Sequence, residues 1–176
     1  VNPRQDIEVI NTELQLADLQ TLENSINKLA RVAKSGDKEE MAKVVFLESL
    51  QKHIDRGQPA KNFSNDPDHE ESLRDLHLLT MKPVLYIANI DEEGLHGNKH
   101  LNEVREITQT ESAELVVICN KLEAEISELE EDEKKEFLVE LELDEPGLDR
   151  FIRAGYDLLS LRTYFTAGPN ETRAWT

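Results

Sequence analysis

The chain has 176 residues and a formal net charge of −17. This acidic balance argues against a protein that wraps nucleic acid with its whole surface, although it allows a local basic patch. The single cysteine, Cys119, excludes an internal disulfide and fits a reducing cytosol. No apolar run approaches the length of a membrane span and no signal peptide is recognisable, so we expect a cytoplasmic protein without a membrane partner.

The N-terminal part of the chain predicts a pair of helices. Apolar residues recur at three- and four-residue steps from Asp6 to Lys34, and again from Lys38 to about Ile54. Ser35-Gly36-Asp37 separates the two patterns, and its glycine suits a left-handed helix end. Helices joined by so short a turn are expected to lie antiparallel, as a coiled-coil-like hairpin.

A different pattern begins after the polar loop from Gly57 to Asp68 and a short predicted helix, Glu70–Leu79. Short apolar runs now alternate with helices, which is typical of a parallel sheet with crossover helices. The strand candidates are Val84–Ala88 and Leu115–Cys119. The predicted helices are Asn98–Gln109, Glu123–Leu129, Glu131–Leu143 and Gly147–Leu159, and the last two extended segments are Leu161–Gly168 and Thr172–Thr176.

These elements predict an α/β fold with a helical insertion. Two or three parallel strands do not normally stand alone. The chain starts at Val1 instead of a methionine and ends after the apolar pair Ala174-Trp175. We therefore expect a piece of a longer protein, with further strands before Val1. An uncovered sheet edge would favour dimers, so the oligomeric state stays open.

Asn89-Ile90-Asp91-Glu92 follows the first predicted strand. Open α/β sheets bind their ligands at the carboxyl ends of the strands. GTPases of the P-loop class recognise guanine there with Asn-Lys-x-Asp, whose aspartate accepts hydrogen bonds from two guanine N–H groups. Here Ile90 replaces the lysine and the longer Glu92 replaces the aspartate, so that paired contact is expected to be lost. The amide of Asn89 offers a donor and an acceptor that match the N6 and N7 edge of adenine, although a turn-forming asparagine explains the same pattern.

Cys119, Asn120 and Lys121 follow the second predicted strand, whose exit loop is expected to approach the same base. A lone cysteine at a strand end is more often buried and inert than nucleophilic. The phosphate-binding pattern G-x-x-x-x-G-K-[ST] occurs nowhere in the 176 residues. No histidine, cysteine and carboxylate spacing predicts a metal site either. The sequence therefore predicts no catalytic residue in this chain.

Several segments together resemble one family, the YchF proteins, also called Obg-like ATPases, of the translation-factor class of P-loop NTPases. The most specific of them is TYFTAGPNETRAWT, from Thr163 to Thr176. The others are DIEVINTELQLADLQTLE (Asp6 to Glu23), KPVLYIANIDEEG (Lys82 to Gly94), LEAEISELEEDEKKEFL (Leu122 to Leu138) and GLDRFIRAGYDLLSL (Gly147 to Leu161).

The resemblance implies a GTPase-like α/β domain that is interrupted by a helical insertion and followed by a small β-grasp domain called TGS. In this chain, residues 1–14 would end the first part of the GTPase-like domain, and residues 15–78 would form the coiled-coil-like insertion. Residues 79–165 would form the second, base-recognition part, and residues 166–176 would begin the connection to TGS. The phosphate loop and the Mg²⁺ ligands would lie before this segment.

The resemblance further implies hydrolysis of ATP in preference to GTP, with Mg²⁺ as a cofactor of the whole protein, and association with the ribosome. Asn89 would bind the adenine edge, Ile90 would supply backbone and apolar contact, and Glu92 would complete the altered Asn-x-x-Glu motif. The stretch Cys119–Lys121 would occupy the loop of the fifth motif, where the family usually has small residues. The segment by itself is expected to be inactive as an enzyme.

Two other functions stay open. A chain without a phosphate loop fits a non-enzymatic module that binds a protein or ribosomal partner through its helices and its acidic surface. That surface would include Lys121–Asp149, where 13 acidic and 3 basic residues give −10. The third function is RNA contact through Arg150, Arg153, Arg162 and Arg173 with Tyr156, Tyr164, Phe165 and Trp175.

Overall fold

The structure is a computed structural model that describes residues 2–33, 37–63, 70–169 and 171–176. Its chain divides into two compact units, a helical unit from about Arg4 to Lys82 and an α/β unit from Pro83 to Thr176. The predicted turn at Ser35-Gly36 lies outside the described residues. None of the helices in the described ranges is long and apolar enough to cross a membrane.

The helical unit is built on two long helices, α1 (Pro3–Ala33) and α2 (Lys38–Asp55). The side chain of Asp37 begins α2 by accepting hydrogen bonds from the backbone N–H groups of Glu39 and Glu40, as an N-terminal cap does. A 3₁₀ turn (Ala60–Asn62), the short helix α3 (Glu70–Leu76) and a second 3₁₀ turn (Leu79–Met81) complete the unit.

The core of the helical unit comes partly from the two predicted apolar stripes and partly from residues after Gly57, outside those stripes. Gln15 of α1 donates from Nε2 to the carbonyl oxygen of Gly57, 3.1 Å away, which places the end of α2 beside the early part of α1. The description of these helices as a coiled-coil-like hairpin stays a prediction. The buried cluster consists of Leu22, Leu47, Leu50, Ile54, Ala60, Leu73 and Leu78.

A buried carboxylate ties α1 to the second 3₁₀ turn. Asp18 is 1% exposed. It accepts hydrogen bonds from the backbone N–H of Leu79 at 2.7 Å, and from the backbone N–H and the hydroxyl of Thr80 at 2.8 and 2.7 Å. The Thr80 hydroxyl oxygen in turn accepts a bond of 2.8 Å from the backbone N–H of Ala60. Three segments distant in sequence are thus joined by one network, as a buried charge requires.

The α/β unit alternates strands and helices. Its elements are β1 (Leu85–Asn89), a 3₁₀ turn (Glu93–His96), α4 (Lys99–Glu111), β2 (Glu114–Ile118), α5 (Asn120–Glu128), α6 (Glu131–Glu140), α7 (Gly147–Leu158), β3 (Tyr164–Ala167) and β4 (Thr172–Trp175). β1 and β2 pair in parallel, with Leu85 opposite Glu114 and Asn89 opposite Ile118. β3 and β4 pair antiparallel.

The parallel pair and its crossover helix confirm the α/β part of the predicted fold. Within the described ranges this sheet has two strands, and both α4 and α7 pack against it. The apolar interior includes Leu101 of α4, Val116 of β2, Leu122 of α5 and Ala154 of α7. Ile87 of β1 is 46% exposed, so one face of the sheet is only partly covered within this chain.

Several predicted boundaries differ from the structure. The short helix predicted to reach Leu79 ends at Leu76, because His77 takes a left-handed conformation with φ 51°. The helix predicted from Glu123 begins earlier, at Asn120, so Asn120 and Lys121 form its first turn instead of a loop. Helix α1 also crosses the predicted domain boundary at residues 14–15 without interruption. The four predicted domain ranges stay a prediction.

Candidate functional site

The carboxyl ends of β1 and β2 open into a cleft of about 670 Å³. Because the two strands are parallel, both chain segments leave the sheet at the same edge. The structure brings together all of the residues that the sequence predicts for base recognition. The cleft is lined by Asn89, Ile90, Asp91, Glu92, Glu93, Cys119, Asn120 and Lys121.

Asn89 ties the two exit segments together. It is the last residue of β1, and the backbone N–H of the next residue, Ile90, donates to the carbonyl oxygen of Ile118 at 2.9 Å. The side-chain oxygen of Asn89 accepts a hydrogen bond of 3.2 Å from the backbone N–H of Asn120. The Nδ2 group has no partner among the described residues, so the cleft retains a donor at this position.

The loop after β1 is shaped by Asp91. Its Oδ1 atom accepts a hydrogen bond of 2.8 Å from the backbone N–H of Gly94. A Cβ atom at Gly94 would lie 2.9 Å from that oxygen and 2.9 Å from Nδ2 of Asn98, so a glycine fits this turn. Asn98 accepts a bond of 2.8 Å from the backbone N–H of Leu101 and thereby caps α4. Asp91 therefore has a structural role inside the Asn-x-x-Glu segment.

Glu92 and Lys121 form an ion pair within the cleft. The Nζ atom of Lys121 lies 2.6 Å from Oε1 of Glu92, and the side chains of Lys121 and Glu92 are 72% and 50% exposed. The hydrogen bond to Glu92 raises the pKa of Lys121 above its ordinary value, and the negative charge of Glu92 acts in the same direction. The ammonium group is therefore charged at neutral pH, and it donates to one oxygen of the glutamate.

Cys119 belongs to the wall of the cleft. It is 4% exposed, and its backbone forms the N-terminal cap position of α5. The thiol is buried where a nucleophile would need access to a substrate, which agrees with the inert cysteine expected at a strand end.

Glu123 anchors α5 to the start of α7. The sequence does not predict it as a site residue. Its two carboxylate oxygens accept hydrogen bonds from the backbone N–H groups of Gly147 at 2.7 Å and Leu148 at 3.0 Å, at the start of α7. A carboxylate is favourable at a helix N-terminus because the first N–H groups of a helix lack internal partners. No local sequence pattern indicates this contact, since Gly147 and Leu148 are distant from Glu123 in the sequence.

Three of the four arginines suggested for RNA contact bond to groups within the chain. Arg150 donates to the carbonyl oxygen of Val117 at 2.9 Å. Arg153 donates to both carboxylate oxygens of Glu145, at 3.0 and 2.5 Å. Arg173 lies 2.9 Å from a carboxylate oxygen of Glu171. These contacts favour a structural role for the three side chains.

The described residues also bear on metal binding. Across residues 2–33, 37–63, 70–169 and 171–176, no three histidine, cysteine or carboxylate side chains lie together as they would around a metal ion.

The chain is similar along its whole length to curated proteins named ribosome-binding ATPase YchF. It is 47% identical over 176 residues to the protein from Escherichia coli O157:H7, a match that covers 100% of this chain and 48% of that protein. It is 44% identical over 179 residues to the protein from Bacillus subtilis (strain 168), with 49% of that protein covered. The chain thus spans about half the length of the curated relatives it matches. No family model matches it.

A solved structure has the same fold. The YchF GTPase of Schizosaccharomyces pombe matches this chain with a TM-score of 0.87, over 99% of this chain and 49% of that one. The two sequences are 24% identical, so this likeness concerns the fold alone.

Proposed function

Because the chain matches YchF-family proteins along its whole length, as its sequence predicted, we propose that it is the base-recognition part of a nucleotide hydrolase that prefers ATP to GTP and binds the ribosome. The names of the relatives, ribosome-binding ATPases, support the hydrolase and ribosome parts of the proposal. The observation that carries the base-recognition part is the meeting of Asn89 and Glu92 with Asn120 and Lys121 at one end of the sheet.

The polar groups of the cleft suit a purine that presents both an acceptor and an amino group. The Nδ2 group of Asn89 is placed to donate to a ring nitrogen such as N7. Oε2 of Glu92, which has no partner among the described residues, can accept from an exocyclic amino group such as N6. Ile90 offers an apolar side chain beside these groups, where GTPases have the lysine of Asn-Lys-x-Asp.

The phosphates and Mg²⁺ need other residues. Phosphoryl transfer depends on positioning and on charge stabilisation around the phosphates and the metal ion. The chain contains no phosphate-binding pattern, and it spans 48% of its Escherichia coli O157:H7 relative. We assign phosphate and Mg²⁺ binding to the rest of the protein. ATP, with GTP as the weaker ligand, would then bind through both parts.

The test is calorimetric titration of the full-length protein with ATP and with GTP in the presence of Mg²⁺. The unchanged protein should bind ATP more tightly than GTP. Asn89→Ala should weaken ATP binding about tenfold, because it removes one hydrogen bond to the base and the tie to Asn120. Asn102→Ala, an exposed residue of α4 outside the cleft, is the matched control and should leave the affinity unchanged. Equal ATP affinity in the Asn89 variant and the control would refute base recognition by Asn89.

The helical unit is the candidate for a partner surface. Met41 and Val45 lie one helical turn apart on α2 and are 53% and 62% exposed, so they place two apolar side chains next to each other on the surface of this helix. We assign ribosome contact to the face of α2 that carries Met41 and Val45. This assignment applies to an ATPase and equally to a non-enzymatic binding module. Cosedimentation with ribosomes should be reduced in a Met41→Ser, Val45→Ser double variant and retained in an Asn27→Ala control, an exposed residue of α1. Undiminished cosedimentation of the double variant would exclude this face.

A further inference from the structure

Lys121 occupies one of the two oxygens with which Glu92 would contact a base. The 2.6 Å contact joins residues 29 positions apart, and both side chains line the cleft. In the guanine-specific arrangement a carboxylate uses both of its oxygens, one for the N1–H group and one for the exocyclic amino group. Here a guanine that made the same pair of bonds would have to compete with the ammonium group of Lys121 for Oε1.

The position of Lys121 is fixed from two sides. The backbone N–H of Asn120, the residue before it, donates to the side-chain oxygen of Asn89 at 3.2 Å. Just after it in the chain, Glu123 is held by the first N–H groups of α7 at 2.7 and 3.0 Å. The first turn of α5 is therefore anchored to β1 and to α7. This anchoring delivers the lysine to Glu92 even though both side chains are exposed.

The ion pair between Lys121 and Glu92 affects the binding of adenine differently from that of guanine. It carries no hydrogen on N1, so it does not need both oxygens of a carboxylate. Its amino group can use Oε2 of Glu92, which Lys121 leaves open. A lysine ammonium group has three hydrogens, so Lys121 can also donate to a ring nitrogen while it keeps its bond to Glu92.

We propose that Lys121 is a specificity-determining residue that disfavours guanine by holding one oxygen of Glu92. This inference rests on the proposed base-recognition function of the cleft. It assigns the selectivity to the Lys121–Glu92 pair, in addition to the lost aspartate of the Asn-Lys-x-Asp motif. The charge on Lys121 is further supported by Glu125 on the same helix, which together with Glu92 raises the lysine pKa.

The experiment measures the ratio of GTP affinity to ATP affinity in the full-length protein by calorimetry. Lys121→Ala should raise this ratio about 2- to 5-fold, the range expected for loss of an exposed ion pair. Lys121→Arg keeps a cationic donor and should retain the low ratio. Lys135→Ala removes an equally exposed lysine that pairs with Asp132 on α6, 3.6 Å away, and should leave the ratio unchanged.

The outcomes separate this inference from the function on which it rests. A protein that binds ATP and GTP equally well, or binds neither, would overturn both. If the unchanged protein prefers ATP and Lys121→Ala leaves the ratio unchanged or lowers it, the role of Lys121 is overturned and the proposed function stands. A ratio that rises equally in Lys121→Ala and Lys121→Arg would also overturn it, because the cation would then have no part in selectivity.

Discussion

The helical unit and the α/β unit each place a carboxylate between segments distant in sequence, with different results. In the helical unit, Asp18 is 1% exposed and accepts three hydrogen bonds from Leu79 and Thr80. In the α/β unit, Glu92 is half exposed, and one of its oxygens pairs with Lys121. Both residues are acidic. Both carboxylate oxygens of Asp18 accept hydrogen bonds within the fold, whereas Glu92 keeps Oε2 open to the cleft.

The comparison separates a carboxylate that the fold uses, Asp18, from one that we propose for ligand binding, Glu92. A buried carboxylate is tolerated when hydrogen bonds inside the protein replace those to water, and such a group then fixes the fold. An exposed carboxylate just beyond a parallel strand is hydrated, so an oxygen without a protein partner, such as Oε2 of Glu92, costs little and is available for a ligand. Changes at Asp18 should therefore act on stability, and changes at Glu92 and Lys121 should act on nucleotide preference.

The largest expected effect is at Asp18. Asp18→Ala should lower the free energy of unfolding of the helical unit by about 3 kcal/mol, because the backbone N–H groups of Leu79 and Thr80 and the Thr80 hydroxyl lose their acceptor. Asp18→Asn retains one acceptor and should lose less. Urea denaturation followed by circular dichroism measures the difference. Asp75→Ala, an exposed residue of α3, is the control. Equal losses in the Asp18→Ala and Asp75→Ala variants would show that the buried network does not stabilise the unit.

The next effect concerns the close approach of α7 to α5. A Cβ atom at Gly147 would lie 2.7 Å from Oε1 of Glu123 and 2.9 Å from Cγ2 of Ile118. Gly147→Ala should therefore destabilise the α/β unit by about 2 kcal/mol. Gly155→Ala, on the same helix, brings the new methyl group within 4 Å of nothing beyond the adjoining backbone and chain neighbours, and it should stabilise the unit by about 0.5–1 kcal/mol. Thermal unfolding of the two variants measures these opposite shifts, and shifts of the same sign would contradict the packing described.

A smaller effect is expected from the cap on α7. Glu123→Ala removes both hydrogen bonds to the helix start and should cost about 1 kcal/mol of unfolding free energy. Since Glu123 also anchors the first turn of α5, the same variant should weaken ATP binding by the full-length protein. Glu128→Ala, at the last residue of α5, should do neither. Unaltered nucleotide affinity in the Glu123 variant would show that the cap on α7 does not influence nucleotide binding in the cleft.

The smallest expected effect is a change in the pKa of Lys121. Its pKa is raised by the hydrogen bond to Glu92. Because the pKa is raised, the ion pair contributes fully to the stability of the folded state at pH values below the ordinary lysine value of 10.5. This contribution is lost as the pH rises through the higher pKa of the folded state. Nitrogen-detected NMR of the side chain should show Lys121 titrating above an ordinary lysine, and Glu92→Gln should return it toward 10.5. An unchanged titration in the Glu92→Gln variant would mean that the ion pair does not form in solution.

Much of the secondary structure follows from local sequence. The apolar run before Asn89 predicts a strand close to its observed position, Leu85–Asn89. The apolar spacing up to Ile54 predicts two helices close to α1 and α2. The Asn-x-x-Glu motif and Cys119–Lys121 are predicted to meet, because parallel strands end at the same edge of a sheet, and they do line one cleft. These features depend on periodicity and chain direction, which a sequence contains.

The contacts that shape the cleft were not predictable in the same way. The sequence predicts Asn120 and Lys121 in a loop, whereas in the structure they form the first turn of α5. The anchoring of that turn by Glu123 links it to the start of α7, a distant part of the sequence. The ion pair between Lys121 and Glu92 likewise joins residues 29 positions apart. Neither contact has a local pattern, since its geometry depends on how the strand register and the helix packing bring the two segments together.

The sequence by itself determined the helices, the two parallel strands, the family resemblance and the residues at the strand ends. Local periodicity and a specific motif are sufficient for these. The tertiary structure decided which polar groups are used within the fold and which stay open. Asp18 has its hydrogen bonds met by a distant turn, whereas Glu92 keeps one oxygen in the cleft. That difference arises only when the folded chain brings a donor to one carboxylate oxygen and leaves another exposed to water.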